Sequence, residues 1–287
     1  MKDTTWILKG GRVLGPAPFF IAGVVNVTPD SFYDGGSHAG VEAGVSHGAD
    51  LARQGAHILD VGGESTRPYA DSVSLDEELE RVVPVIEGLA GLDICDENGT
   101  LLHPVISVDT YKAEVAARAL DAGADIVNDV SAFAFDPGLL DVLAQYAPGY
   151  VLMHSLGRPE DMQDAPSYKD VVDEILAFFE QKLEVLDKAG LPKDRIVLDP
   201  GIGFGKLLEH NLAILRNLER FKVLGLPIYM GLSNKSLWQG LLGLGVNERQ
   251  NATQAATAVT AMKGAAIHRV HEVKFAQQTL TIVQEIA

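Results

Sequence analysis

The sequence predicts an α/β protein, a closed (β/α)8 TIM barrel with a short N-terminal β-hairpin. Two observations predict it. Eight short apolar runs alternate along the chain with segments of helical period, the rhythm of a parallel sheet wrapped by helices. Each run ends on a hydrogen-bonding side chain, and a closed barrel brings all such tips to one face. An open doubly wound sheet is the alternative, weakened because no Gly-x-Gly-x-x-Gly follows the first run. With 287 residues and 47% hydrophobic content the chain can bury one large core. Residues 1–287 therefore read as one domain, with 1–19 as a hairpin extension.

The elements follow in order. Trp6-Ile7-Leu8 and Arg12-Val13-Leu14 flank Lys9-Gly10-Gly11, a hairpin ahead of the main fold that plugs or caps it. The barrel strands are expected at Ile21–Val25, His57–Leu59, Val105–Val108, Ile126–Val127, Tyr150–Met153, Ile196–Leu198, Ile228–Met230 and Ile267–Val270. They are continuously apolar because strands of a parallel sheet are covered on both faces. Helices are expected at Val41–Gln54, Leu75–Leu89, Lys112–Ala122, Gly138–Gln145, Tyr168–Ala189, Leu207–Leu218 and Glu272–Glu285. Two segments break the rhythm: Leu92–Leu102, a small hairpin turning at Asn98-Gly99, and Gln239–Asn251, a glycine-bearing loop before a second helix at Gln250–Lys263.

Charge narrows the partners. Lys and Arg total 23 against 39 Asp and Glu, a formal charge of −16, so long-range electrostatics repel nucleic acid and anionic membranes. A small anionic substrate has to be caught by a few local cations. The one cysteine, Cys95, cannot form an intramolecular disulfide, no apolar stretch reaches transmembrane length, and Met1–Gly10 lacks a secretory apolar region. Cytoplasmic residence is the expectation.

The strand tips read as Asn26, Asp60, Asp109, Asn128, His154, Asp199, Ser233 and His271. One polar tip is usually a helix cap, but eight imply a polar basin. Asp109, Asn128 and Asp199 offer acceptors to a flat heterocycle carrying amino and ring N–H groups, and Lys235 a donor to its carbonyl or ring nitrogen. After Asp199 the loop Pro200-Gly201-Ile-Gly203-Phe204-Gly205-Lys206 allows close backbone approach, with Lys206 as a candidate anion partner. Arg67, Arg269 and His271 supply further cations. Arg269 and His271 flank one strand end as a diphosphate clamp, since arginine grips phosphate oxygens with a fork. The plainer reading of that pair is a salt bridge to Glu272 or a helix start. The long loops after the first two strands are suited to close over substrate, with Phe32 and Pro68 as an apolar wall for a second, aromatic one. His154 reads as a structural histidine, and His47, His57, His103, His210 and His268 have no metal-ligand spacing. Trp6 and Trp238 read as packing residues.

Asn26-Val-Thr-Pro-Asp-Ser-Phe, Gly62-Gly-Glu-Ser-Thr-Arg-Pro, Ser107-Val-Asp-Thr, Asn128-Asp, Met153-His-x-x-Gly-x-Pro, Asp199-Pro-Gly-x-Gly-Phe-Gly-Lys and Arg269-Val-His together resemble dihydropteroate synthase, from about Phe20 onward. The resemblance implies a transferase of folate biosynthesis that joins 6-hydroxymethyl-7,8-dihydropterin diphosphate to para-aminobenzoate. It implies pterin contacts at Asp109, Asn128, Asp199 and Lys235, with Met153 against the ring. Asn26 would meet Mg²⁺, Arg269 and His271 the diphosphate, and Thr66 and Arg67 would complete the closed site. Phe32, Pro68, Phe204, Lys235 and Ser236 would frame para-aminobenzoate, where sulfonamides compete, and Asp34 would steady the cationic centre. A homodimer is also implied, with Gln250–Lys263 as the small-residue helix at its interface.

Two positions depart from the family. Asn234 stands where Ser-Arg-Lys is usual, and Glu272 replaces the Asp that commonly follows Arg-Val-His. The alternatives are a pterin- or folate-dependent methyltransferase of the same superfamily, which has no use for a diphosphate clamp, and a catalytically silent pterin-binding paralogue, against which the two closing loops speak.

Overall fold

The computed structural model describes residues 2–28, 37–65, 72–158, 162–164 and 166–287. Strands β1 (Thr4–Ile7) and β2 (Val13–Ala17) pair antiparallel ahead of the barrel. The repeating units are β3 (Phe20–Asn26) with α1 (Ser37–Arg53), then β4 (Ile58–Gly62) with α2 (Leu75–Ala90). A two-stranded insert, β5 (Ile94–Cys95) and β6 (Leu101–Leu102), precedes β7 (Val105–Asp109) and α3 (Ala113–Asp121). Then come β8 (Ile126–Asp129), α4 (Leu139–Tyr146), β9 (Gly149–Met153), α5 (Val171–Ala189), β10 (Ile196–Asp199) and α6 (Leu208–Arg216). The last turn holds β11 (Ile228–Gly231), α7 (Leu237–Leu242), α8 (Gln250–Met262), β12 (Ala265–Val270) and α9 (Val273–Ile286).

The eight barrel strands are all parallel, and β12 pairs with β3 to close the ring in the order β10-β11-β12-β3-β4-β7-β8-β9. The register sets Gly62 beside Asp109, Asp109 beside Asn128 and Asp199 beside Met153, so the polar residues of neighbouring strands share one level at the mouth.

Local chemistry explains the boundaries. The Ser74 hydroxyl accepts from Glu77 N–H at 3.3 Å to open α2, and the acidic side chains of that first turn suit the positive end of a helix. The expected helix from Tyr168 begins instead at Val171, because the Asp170 carboxylate accepts from Val172 and Asp173 N–H at 2.9 and 3.0 Å and caps it there. The expected helix to Leu218 stops at Arg216 and continues as a 3-10 turn over Leu218–Leu224. The insert turns as expected, with the Asp96 carboxylate accepting from Asn98 and Thr100 N–H.

The hairpin plugs the barrel's N-terminal end. Trp6 and Leu8 are fully buried and join Ile58, Val105, Ile126, Val151, Val197 and Ile267 in one apolar cluster inside the strand ring. Gly149 is required there: a Cβ would lie 2.6 Å from the Leu8 side chain. Trp6 Nε1 donates to the Arg195 carbonyl at 2.8 Å, and Arg195 Nη1 donates to the carbonyls of Leu8, at 2.6 Å, and Ala147. Outside the ring a larger apolar cluster packs the strands against the helices.

Candidate active site

At the C-terminal end of the strands, Asp109, Asn128, Met153, Asp199, Phe204, Lys235, Arg269 and His271 line a single cleft, with Val24, Val130 and Ile202 as its apolar patches. Seven different strands or the loops after them supply these side chains. Asn26 closes β3 half-buried, and Ser236 is exposed at the start of α7 with its hydroxyl unused for capping. Phe32, Asp34, Thr66, Arg67 and Pro68 lie outside the described residues.

Asp199 ends β10 buried, its Oδ1 accepting from Gly201 N–H at 2.7 Å. Burial raises its pKa, against that hydrogen bond and the charges of Lys235, Lys206 and Arg269. Gly201 has φ 71°, and a Cβ there would sit 1.9 Å from the His154 carbonyl oxygen, so only glycine lets the loop fold back under the carboxylate. Lys235 is pushed down to about 8, chiefly by burial, and its ammonium stands 4.1 Å from the centre of the Phe204 ring.

Lys206 does not line the cleft, contrary to its sequence reading as a candidate anion partner. It is buried, and its ammonium donates to the carbonyls of His154 at 3.1 Å and Phe204 at 2.9 Å, with His154 Nδ1 also at 2.9 Å. It ties the glycine-rich loop to the end of β9. Burial pushes Lys206 down to about 7 and His154 down to about 2, so the histidine is the neutral acceptor.

Arg269 pairs across the mouth rather than with Glu272. Its Nε donates to Asp60 Oδ2 at 2.6 Å and its Nη2 to Asp109 Oδ2 at 2.5 Å. Burial alone would lower its pKa; the two carboxylates more than reverse that. Burial raises Asp109, and the charge of Asp60 adds to this against the pull of Arg269. His271 is oriented by Ser233, whose Oγ lies 2.9 Å from His271 Nδ1.

Asp60 is not a strand tip. It sits in the middle of β4, fully buried, and its Oδ2 also accepts from Asn128 Nδ2 at 3.1 Å, which leaves the Asn128 carbonyl oxygen for a ligand. Sequence reasoning counted Asp60 among the polar tips and gave it no task. The signal available was its carboxylate inside an otherwise apolar Ile58–Val61 run.

Below the second loop, Lys112 donates to Glu64 Oε2 at 2.6 Å, to the Val73 carbonyl at 2.7 Å and to Glu78. Tyr111 donates to Glu64 Oε1 at 2.9 Å. One ammonium thus holds the chain on both sides of residues 66–71. At the other departure from the family, Asn234 adopts φ 59°, and its carbonyl accepts from Arg249 Nη1 at 2.8 Å.

Such a cleft, with buried acceptors for ring N–H groups beside an arginine and a histidine, defines a barrel enzyme that binds a flat nitrogen heterocycle. The model of the family described as pterin binding enzyme matches residues 22–271. The dihydropteroate synthase of Escherichia coli (strain K12) is 41% identical over 264 residues, covering 92% of this chain and 90% of that one. The Xanthomonas albilineans dihydropteroate synthase solved with 4-aminobenzoic acid superposes with a TM-score of 0.89 at 41% identity, covering 99% and 98% of the two chains. The Yersinia pestis enzyme solved as a sulfonamide drug complex gives 0.88 at 39%, covering 96% and 97%. The chain belongs to the pterin binding enzyme family and, within it, to the dihydropteroate synthases.

Proposed function

We infer that the chain joins 6-hydroxymethyl-7,8-dihydropterin diphosphate to para-aminobenzoate, giving 7,8-dihydropteroate and diphosphate, with residues 1–287 acting as one catalytic domain. The observation that carries this reading is the meeting of Asp109, Asn128 and Asp199 with Lys235 and Arg269 in one cleft. Asp109 and Asp199 accept from the amino and ring N–H groups of the pterin, the Asn128 carbonyl accepts beside them, and Lys235 donates to a ring nitrogen or carbonyl. Met153 packs on the ring face.

Arg269 and His271 take the diphosphate, whose bond to the pterin methylene breaks with the electron pair leaving on oxygen. Fixed cations stabilise that departing charge more than they stabilise the bound substrate, which is what lowers the barrier. The aromatic amine attacks the methylene, forms the new C–N bond and gives up one proton. Phe204, Lys235 and Ser236 frame the amine substrate with Phe32 and Pro68, and sulfonamides compete in that place. Asp34, Thr66 and Arg67 complete the site from the two loops.

Among the described residues no group of three or more His, Cys, Asp or Glu side chains is placed to hold a metal. A single neutral oxygen from Asn26 fits Mg²⁺, which binds through few protein ligands and keeps water and substrate phosphate oxygens around it. When bound, Mg²⁺ spreads the charge of the leaving diphosphate.

A second copy of the chain is the expected partner. Helices α8 and α9 pack together and leave Val259, Met262, Phe275 and Ile282 exposed, an apolar face suited to dimer contact. No helix among the described residues is long and apolar enough to cross a membrane. The test is diphosphate release with Mg²⁺ and the pterin diphosphate, with and without para-aminobenzoate. Release that requires the amine and yields dihydropteroate is expected; binding of the pterin without any release overturns the reading.

A further inference from the structure

Arg269 and Asp60 form an arrangement that the reaction itself does not require. From β12 the arginine reaches past β3, over Val24, to carboxylates on β4 and β7, so its side chain spans the floor of the cleft. The two anchors differ. Asp109 lines the cleft and is within reach of a ligand, whereas Asp60 is fully buried below it.

Asp60 Oδ1 has no hydrogen-bond partner among the described residues, so Oδ2, with Arg269 Nε and Asn128 Nδ2, carries all the hydrogen bonding this carboxylate has. Drawing Arg269 away from Asp60 would leave a buried charge without its counter-ion, a costly outcome. Releasing Nη2 from Asp109 carries no such penalty once a ligand N–H takes its place on that carboxylate.

We propose that Asp60 is a positioning residue that latches Arg269 across the cleft, so that a heterocycle claiming Asp109 frees the outer edge of the guanidinium for the anion. The proposal rests on the reading of the cleft as a pterin diphosphate site. Nε stays on Asp60 as the pivot, and Nη2 exchanges a carboxylate for a phosphate oxygen. Asn128 shares the same Asp60 oxygen, which couples the heterocycle contact to the latch. Coupling is reciprocal: an anion that draws Nη2 away also exposes Asp109 to the ring.

The experiment measures calorimetrically the affinity of inorganic diphosphate, with Mg²⁺, for the wild-type chain alone and with saturating 6-hydroxymethyl-7,8-dihydropterin, which lacks the diphosphate and does not react. At least about fivefold tighter binding in its presence is expected, at the low end of ordinary coupling between sites. Asp60→Asn, which keeps an acceptor for Asn128 but weakens the hold on Arg269, brings that ratio below about twofold; a purely structural role for Asp60 would lower the melting temperature and leave the ratio alone. Arg269→Lys keeps the charge without the fork and also loses the ratio, which decides the matter if Asp60→Asn does not fold. A wild-type ratio of one, or a variant of either kind that keeps the wild-type ratio, overturns the latch. Dihydropteroate formation by the same wild-type sample separates the two ideas. Turnover with a ratio of one sinks the latch alone, and absence of both turnover and pterin binding sinks the functional reading beneath it.

Discussion

Each end of this barrel is held by a half-buried arginine, and the two do opposite things. At the N-terminal end Arg195 donates to main-chain carbonyls of Leu8 and Ala147, beside a hairpin that fills the ring with Trp6 and Leu8. Its partners are neutral and fixed, so nothing there can exchange. At the C-terminal end Arg269 faces two carboxylates, more negative charge than one guanidinium neutralises, and one of the two is open to ligand. An end filled by apolar side chains and held through main-chain carbonyls gives stability, and an end with surplus carboxylate acceptors gives binding.

The largest expected effect breaks the quiet end. Trp6→Ala removes a fully buried indole and its hydrogen bond to Arg195, and should cost about 3–5 kcal/mol of unfolding free energy in a denaturant titration. Its kcat/KM per folded molecule should stay within about twofold of wild type, because the site is on the far side of the strands. A matching loss of activity would show that the two ends are not independent.

Next in size is Lys235→Ala at the mouth. Losing a half-buried donor aimed at the reacting ligand should lower kcat/KM by about 10²–10³-fold, and the melting temperature should not fall, since desolvation already opposes the charged form. A drop in stability with little change in turnover would make Lys235 a framework residue instead.

Proton linkage separates the ends by pH. His154 at the mouth is pushed down to about 2 and His268 within β12 to about 4, chiefly by burial, and His57 just before β4 is lowered as well. At these histidines the unfolded chain therefore binds protons below 6.5 that the folded one does not, so their contribution to stability falls as pH drops, against the buried Asp109 and Asp199, whose raised carboxyls take up protons first in the folded chain. At pH 5, His154 and His268 should each withdraw about 2 kcal/mol, measurable as a smaller change in unfolding midpoint between pH 7 and pH 5 in His268→Gln than in the wild type. On the alkaline side Lys235 loses its proton above about 8, and kcat/KM should decline there. Between pH 8 and 10 the same depressed lysine, with Lys206, raises stability, because the unfolded chain now holds the extra protons. Activity and stability that decline together above pH 8 would contradict this assignment.

The barrel was legible in the sequence because its strands are short apolar runs of fixed spacing, and a parallel sheet leaves few other arrangements. The cleft residues were legible for the same reason: Asp109 and Asp199 end their strands, and Asn128 stands one residue before the end of its own. What spacing does not give is the direction of a long side chain. Lys206 follows a glycine-rich loop as an anion-binding lysine would, yet it turns inward to His154 and Phe204. Arg269 lies three residues from Glu272 but pairs with Asp60 and Asp109, which are 209 and 160 positions away. Such pairings arise only when the ring closes.

The smallest expected effect tests the departure from the family that stands between two cleft-lining residues, Ser233 and Lys235. Asn234 has φ 59°, a left-handed conformation that asparagine tolerates better than most side chains, and its carbonyl is held by the buried Arg249. Asn234→Arg should therefore cost no more than about 1 kcal/mol of stability, while placing a second cation next to Lys235. Diphosphate or sulfonamide affinity should rise by less than tenfold, the scale of a partly exposed charge contact. Asn234→Gly supplies the control: it keeps the backbone conformation without the side chain, so it should hold stability and leave both affinities unchanged. If the arginine variant shifts neither affinity, the charge at this position is irrelevant to the site, and residue 234 serves the chain only through its backbone.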